Sequence, residues 1–324
     1  MPSFPGAPLC LRRIADGTMG MNPRTRSPMP RPFLPRALLP LLLLLPMACG
    51  DQPDPEFEGV LALQGASVYT AADAPPIDDG VVVIIDGVIE GVGPRGQVQI
   101  PPAARRINLA GLTIVPGFWN VDVRIPPELL ELAESADDDE LRQALEERFT
   151  RFGFVTVVET ATPSADLELL RARIRDGVPG PRILTGLPAG DDLGWVPSLT
   201  RAAWPAPDES PEEADRRMQA ALDEVASHVA MGGVVLFGTG AGYVPEYDPS
   251  MEMILLEEVG VPLLESLTLL PAIQLGHDYT GLIEPGMVAD LVVIEGDPVA
   301  DPSSLTRVRW VLKEGITQFD LLRR

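Results

Sequence analysis

The sequence predicts an α/β protein. Short apolar runs separated by glycine turns fill residues 60–115, and two amphipathic stretches begin with helix-start signals at Asp137 and Ser210. The 35 prolines and 30 glycines among 324 residues favour many turns and short elements over long helices. The length suits one large domain or two modest ones, and 45% hydrophobic residues supply a packed core.

Residues 1–48 read as an address. Arg24, Arg26, Arg31 and Arg36 stand among prolines, followed by an apolar run from Ala37 to Ala48 broken at Pro40 and Pro46. The run is shorter than the roughly 20 residues a membrane-spanning helix needs, and basic-then-apolar order is that of a secretory signal. Its end, Leu45-Pro46-Met47-Ala48-Cys49-Gly50-Asp51, resembles a bacterial lipoprotein signal, with Pro46 replacing the usual Leu three before the Cys. The resemblance implies cleavage before Cys49, lipid on its sulfur, and attachment to a membrane of the bacterial cell envelope. The alternative is ordinary cleavage that leaves a free thiol at Cys49. Residues 49–57, with Pro53 and Pro55, then serve as a tether.

The first strands follow. Val81 to Ile85 run into Asp86-Gly87, a two-residue hairpin signal, with Val88-Ile89 opening the return strand and Gly91-Val92-Gly93-Pro94 ending it. Asp137-Asp138-Asp139-Glu140 opens a helix through Leu141, Ala144, Leu145 and Phe149, its acids suiting the positive end of the helix dipole. The run lacks the spaced ligands and turn glycine of a calcium loop and reads as solvated surface. A second helix is capped at Ser210, with Pro211 in first position and Glu213 completing a capping box. Ala214, Met218, Ala221, Leu222, Val225 and Val229 make its apolar face.

Charge and residue counts exclude several functions. A net charge of −22 repels phosphate backbones, so nucleic-acid binding is not expected. Cys10 and Cys49 cannot build a disulfide framework or a Cys-based zinc site. Histidine occurs only at 228 and 277, and lysine only at 313. No glycine-rich phosphate loop, no Ser or Cys nucleophile motif and no internal repeat is present.

The strand–Asp-Gly–strand hairpin leads to Ile107-Asn108-Leu109-Ala110-Gly111-Leu112-Thr113-Ile114-Val115-Pro116-Gly117-Phe118. Near the other end stand Gly281-Leu282-Ile283-Glu284-Pro285-Gly286-Met287-Val288-Ala289-Asp290-Leu291-Val292-Val293, then Gly296-Asp297-Pro298 and Val308 to Gly315. These two ordered end motifs resemble those of the metal-dependent amidohydrolases, near the imidazolonepropionase and prolidase-like branch. Between them, Gly153–Glu159, Gly180–Gly186 and Gly233–Gly240 resemble the second, third and eighth barrel strands of that family. The resemblance implies a small β-sandwich built from residues 58–115 and 280–324, beside a (β/α) barrel in residues 116–279. That barrel is incomplete, with about four of eight strands. Only about forty residues separate the third-strand and eighth-strand motifs, where four βα units need roughly 30 residues each. Free edges of such a sheet invite pairing, so either two chains associate into a homo-oligomer or residues 187–209, with Trp195 and Trp204, cover the gap.

The family hydrolyses C–N bonds, in non-peptide amides or dipeptides, with zinc or another divalent metal. Its first strand ends in His-x-His and its eighth in Gly-Thr-Asp. The matching positions here are Asp122, Arg124 and Gly240. A guanidinium stays protonated and has no acceptor, and Gly240 brings no carboxylate, so no metal cofactor is expected. His228, beside the apolar face of its helix, and His277, in a loop, are not expected to be ligands. Asp122, Arg124 and Glu159 can meet at the barrel mouth, as a pocket for a zwitterion or as a charge-neutral patch where the metal would sit. The expectation is an amidohydrolase-like chain that has lost hydrolysis. The alternatives are an envelope-anchored binding or interaction module, and hydrolysis retained through a site the motifs do not reveal.

Overall fold

The computed structural model describes residues 59–187, 194–206 and 209–323. The expected signal segment, Cys49 and the tether lie outside the described residues.

The chain opens with β1 (Val60–Val68), β2 (Ile77–Ile85), β3 (Val88–Pro94), β4 (Arg105–Asn108) and β5 (Thr113–Pro116). β1 runs antiparallel to β2, with Leu63 opposite Val82, and β2 antiparallel to β3. Asp86 and Gly87 both take positive φ, 48° and 79°, as a two-residue type I′ hairpin turn demands. On its other side β1 takes two parallel partners in turn. β4 lies beside Leu61–Gln64 and β5 beside Ser67 and Val68, with a register irregularity between Gln64 and Ala66 at the changeover.

The C-terminal strands β9 (Leu291–Ile294), β10 (Val308–Lys313) and β11 (Ile316–Asp320) join the same sheet. β5 pairs antiparallel with β9, Thr113 opposite Ile294 and Pro116 opposite Leu291, and β9 pairs with β10. The order is β11-β10-β9-β5-β1-β2-β3, with β4 on β1. The strands expected as a sandwich are therefore hydrogen-bonded into one continuous sheet. Strand alternation explains how one sheet carries apolar cores on two faces. Val82 and Ile84 pack with Leu63, Ile114, Val293 and Trp310, while Val81 and Val83 pack with Ala62 and Val98.

Between the chain ends lie β6 (Phe118–Val123), α1 (Pro127–Ser135), α2 (Asp138–Arg148), β7 (Phe154–Glu159), α3 (Glu168–Arg175) and β8 (Arg182–Thr185). The three strands form a parallel sheet in the order β6-β7-β8. α2 starts where Asp137 accepts the Glu140 N–H at 2.9 Å. Residues 234–241 run along the far edge of β6. The Val121 N–H donates to the Phe237 carbonyl (2.9 Å), the Gly240 N–H to the Asp122 carbonyl (2.9 Å) and the Arg124 N–H to the Ala241 carbonyl (2.8 Å). This segment is extended but makes only isolated bridges, not the regular strand expected there. One reason is that the Phe237 N–H leaves the ladder for the Ser266 carbonyl, 3.2 Å away.

α4 (Leu199–Ala203), α5 (Pro211–Ala230), α6 (Ser250–Glu258), α7 (Leu263–Leu267) and α8 (Leu269–Gln274) complete the helices. α5 has the full capping box between Ser210 and Glu213. It docks by the stripe Met218, Ala221, Leu222, Val225 and Val229. The main core holds Phe118, Phe149, Phe154 and Phe237, each fully buried. Side chains of this size each contribute about 1.5–3 kcal/mol by leaving water. Trp195 covers part of this core and stands edge-on to His228 at 5.4 Å, whereas Trp204 is 44% exposed. Of the two tryptophans expected to close the gap, Trp195 is the one that packs, partly buried, against the core.

Candidate functional site at the ends of the parallel strands

In parallel α/β sheets, functional groups collect where the strands end at their carboxyl side. Here that rim carries Asp122, Arg124, Glu159 and Thr160, with Gly240 and Tyr243 from the neighbouring segment and Ser198 and Arg201 from the connection before α5.

Asp122 is the centre of the cluster. Its Oδ1 accepts the Thr160 hydroxyl at 2.8 Å and its Oδ2 accepts the Ser198 hydroxyl at 2.6 Å. An Arg201 guanidinium nitrogen lies 3.9 Å from Oδ2. Ser198 sits at φ 45°, a left-handed backbone that a serine adopts only at a cost of about 1–3 kcal/mol. The Thr160 hydroxyl is 3.0 Å from that of Tyr243, and Arg201 lies over the Tyr243 ring, 4.0 Å from its centroid. Such stacking suits the planar guanidinium.

Gly240, the position matched to the family's catalytic carboxylate, has φ +67°. A Cβ placed there would stand 2.6 Å from the Arg201 Cβ. Any side chain at 240 would therefore meet the Arg201 stem. Beside this cluster is a cleft of about 310 Å³ lined by Asp122, Val196, Pro197, Ser198, Arg201 and Ala202.

The expected trio of Asp122, Arg124 and Glu159 does not converge. Glu159 is buried and turns back on the backbone, accepting the N–H groups of Ala161 and Thr162, each at 2.6 Å, and that of Ile125. Its role is to shape two loop starts. Arg124 lies one residue beyond β6, exposed, with its guanidinium 6.0 Å from the Tyr243 centroid. The cation near Asp122 is Arg201, which no periodic pattern marked because it sits in a Pro-rich connection.

Glu252 is a second group the sequence did not reveal. It is fully buried on α6 and accepts the N–H groups of Leu199 (2.9 Å) and Thr200 (2.6 Å), which fixes the start of α4 and so the placing of Ser198 and Arg201. Burial pushes its carboxyl up to about 7, against the pull of those two donors; the charge of Asp122 adds to the rise.

The two histidines bond to partners outside the Asp122 cluster, and His277 lines a cleft at the carboxyl end of β8 with Thr185 and Gly186. His228 is 3.1 Å from the Val234 carbonyl through Nε2, and His277 meets the Tyr279 hydroxyl at 2.6 Å through Nδ1 and the Trp119 ring edge-on at 5.5 Å. Among the described residues, no three His, Cys, Asp or Glu side chains come together as a metal site.

No family profile and no curated relative matches the sequence. Solved structures do match. One from Bifidobacterium longum, assigned as a prolidase, superposes with a TM-score of 0.68 at 16% identity, over 81% of this chain and 95% of that one. A prolidase complexed with N-methylphosphonate-L-proline superposes at 0.63 and 18% identity, over 80% and 99%. A guanine deaminase from E. coli does so at 0.53 and 16%, over 81% and 99%. The chain shares its fold with these structures. Its rim offers a divalent metal few free ligands. Both Asp122 oxygens already accept hydroxyl donors, the cation Arg201 stands beside them, and Gly240 brings no ligand.

Proposed function

We propose that this chain is an amidohydrolase-fold protein without a hydrolytic centre, working as a binding or interaction module held at the cell envelope by lipid on Cys49. On this reading the barrel is incomplete, with β6, β7, β8 and the 234–241 segment as its remaining strands, and β8 is the edge where further units are missing. The observation that carries the reading is the seat of Arg201. Its stem lies against Gly240 and its guanidinium stands 3.9 Å from Asp122, so the carboxylate a metal would call on has a fixed positive charge beside it. A metal-activated water needs convergent ligands, an open coordination position and a base for its proton. Of the two rim carboxylates, Asp122 accepts two hydroxyl groups beside Arg201 and Glu159 is turned onto three backbone N–H groups.

The test is metal analysis of the purified protein with a screen of amides, cyclic amides and dipeptides in added zinc. The expected result is metal well below one per chain and no turnover above the protein-free rate. Stoichiometric zinc, with turnover abolished by Asp122→Ala, would restore the hydrolase reading.

The anchor is tested separately. Intact mass of the membrane-extracted protein is expected to show a mature chain that begins at an acylated Cys49. Stable retention needs two or more acyl chains, since one alone binds only reversibly. A mature N-terminus at any other residue, or an unmodified Cys49, rules the anchor out.

A further inference from the structure

Away from the rim, a larger cleft opens between α3, β8 and the β10–β11 hairpin. Its volume is about 570 Å³, within the range of small-molecule sites, and Ile174, Val178, Ile183 and Ile316 are among its apolar lining. Its charged lining is Arg171, Arg175, Arg182, Lys313 and Glu314, four cations to one carboxylate on a chain of net charge −22.

Some of those cations are already engaged. Arg182 bonds to Asp290 at 3.0 Å and to Glu314 at 2.8 Å. Arg171 bonds to Glu168, Ser164 and the Ile183 carbonyl. Two remain. Arg175 is exposed at the lip and has no carboxylate partner among the described residues. Lys313, the single lysine of the chain, is partly buried, and its Nζ donates to the Gly180 carbonyl at 2.6 Å.

We propose that this cleft binds a small oxo acid, its carboxylate on Arg175 and its aldehyde or ketone carbon joined to Lys313 Nζ as a reversible imine. The free amine is the nucleophile, and a lysine is activated for this when it is desolvated beside another cation. Lys313 meets both conditions. Burial holds its ammonium down to about 8 and Arg182 adds to the fall, while Glu314 and Asp290 pull the other way. Near pH 8 about half of Lys313 is then the free amine, against less than about 1% for an ordinary lysine. In the reaction the nitrogen lone pair forms the C–N bond while the carbonyl π pair moves to oxygen. Proton transfer from nitrogen to oxygen gives a neutral carbinolamine. Its hydroxyl leaves as water with the second amine proton, and C=N remains. No oxidant or reductant is consumed, and water reverses the step. The apolar lining favours the imine by lowering the local activity of water.

The experiment treats the full-length protein with glyoxylate and cyanoborohydride, which fixes an imine as a secondary amine, and maps the product by peptide mass. With one lysine, the other primary amine is the chain terminus, so the map is unambiguous. Labelling of Lys313 at pH 7.5 is expected to exceed that of a free peptide spanning residues 308–318 by about 200-fold, the ratio of free-amine fractions. Lys313→Arg should remove this label. Arg175→Gln should raise the glyoxylate concentration for half-maximal labelling several-fold, while labelling by the uncharged acetaldehyde stays unchanged. Labelling no faster than the free peptide overturns the proposal and leaves Lys313 as a clasp on Gly180. Equal effects of Arg175→Gln on both aldehydes overturn the carboxylate anchor. The rate comparison uses the unmodified protein, so it holds even if a variant fails to fold.

Discussion

Removal of residues 280–324 is expected to unfold the N-terminal strands as well as delete the C-terminal ones. β9 is an interior strand, bonded to β5 on one side and β10 on the other, and Leu291, Val292, Val293 and Ile294 are each fully buried. The loss reaches the first hairpin too. The Ile89 N–H donates to the Met287 carbonyl and the Ala289 N–H to the Gly87 carbonyl, both at 2.8 Å. Burial of four such side chains contributes roughly 6–12 kcal/mol, comparable with the whole stability of about 5–15 kcal/mol for a typical domain. Hydrogen exchange on the truncated protein should show the amides of β1 and β2 unprotected. Native-like protection there would mean that the N-terminal strands stand without β9.

The second large effect is a pH dependence set by Glu252. Its folded-state pKa, about 7, lies above the ordinary 4.5. Below about pH 4.5 the carboxyl is protonated whether the chain is folded or not, and burial of a charge costs nothing. As pH rises, the unfolded chain loses its proton first, so the folded state loses ground until about pH 7 and then levels off. The span corresponds to about 3 kcal/mol. Urea midpoints taken from pH 4.5 to 8 should fall with pH in the wild type, relative to Glu252→Gln. The variant should be offset downward by about 1 kcal/mol or more, because its amide cannot accept from both Leu199 and Thr200. Parallel curves for the two proteins would show that Glu252 does not titrate in this range.

What was legible in the sequence was local or came from the paired end motifs. Asp86-Gly87 announces its turn because few dipeptides tolerate two positive φ values, and Ser210 with Glu213 announces α5 because the capping box is closed within four residues. The meeting of β5 with β9 has no local signature and entered through the resemblance of the two chain ends. The rim was read less well. Glu159 looked available for a site because sequence cannot show three backbone N–H groups waiting for it at 125, 161 and 162. Arg201 and Glu252 lie in segments where spacing carries no directional information. Their roles emerge only once α4 and α6 are packed together. The 234–241 segment has the composition of a strand, yet one of its amides is drawn to Ser266, a partner no pairing rule names.

The contact of Thr113 with Ile294 also governs the order in which the molecule can be assembled. A chain delivered from its N-terminus completes β5 long before β9 arrives. Until then the apolar edge of β5 has no native partner, and closing so long a loop is slow because its entropy cost precedes any reward. An intermediate with an open edge is where aggregation competes with folding. The arrival of β9 therefore sets the folding clock for strands made far ahead of it.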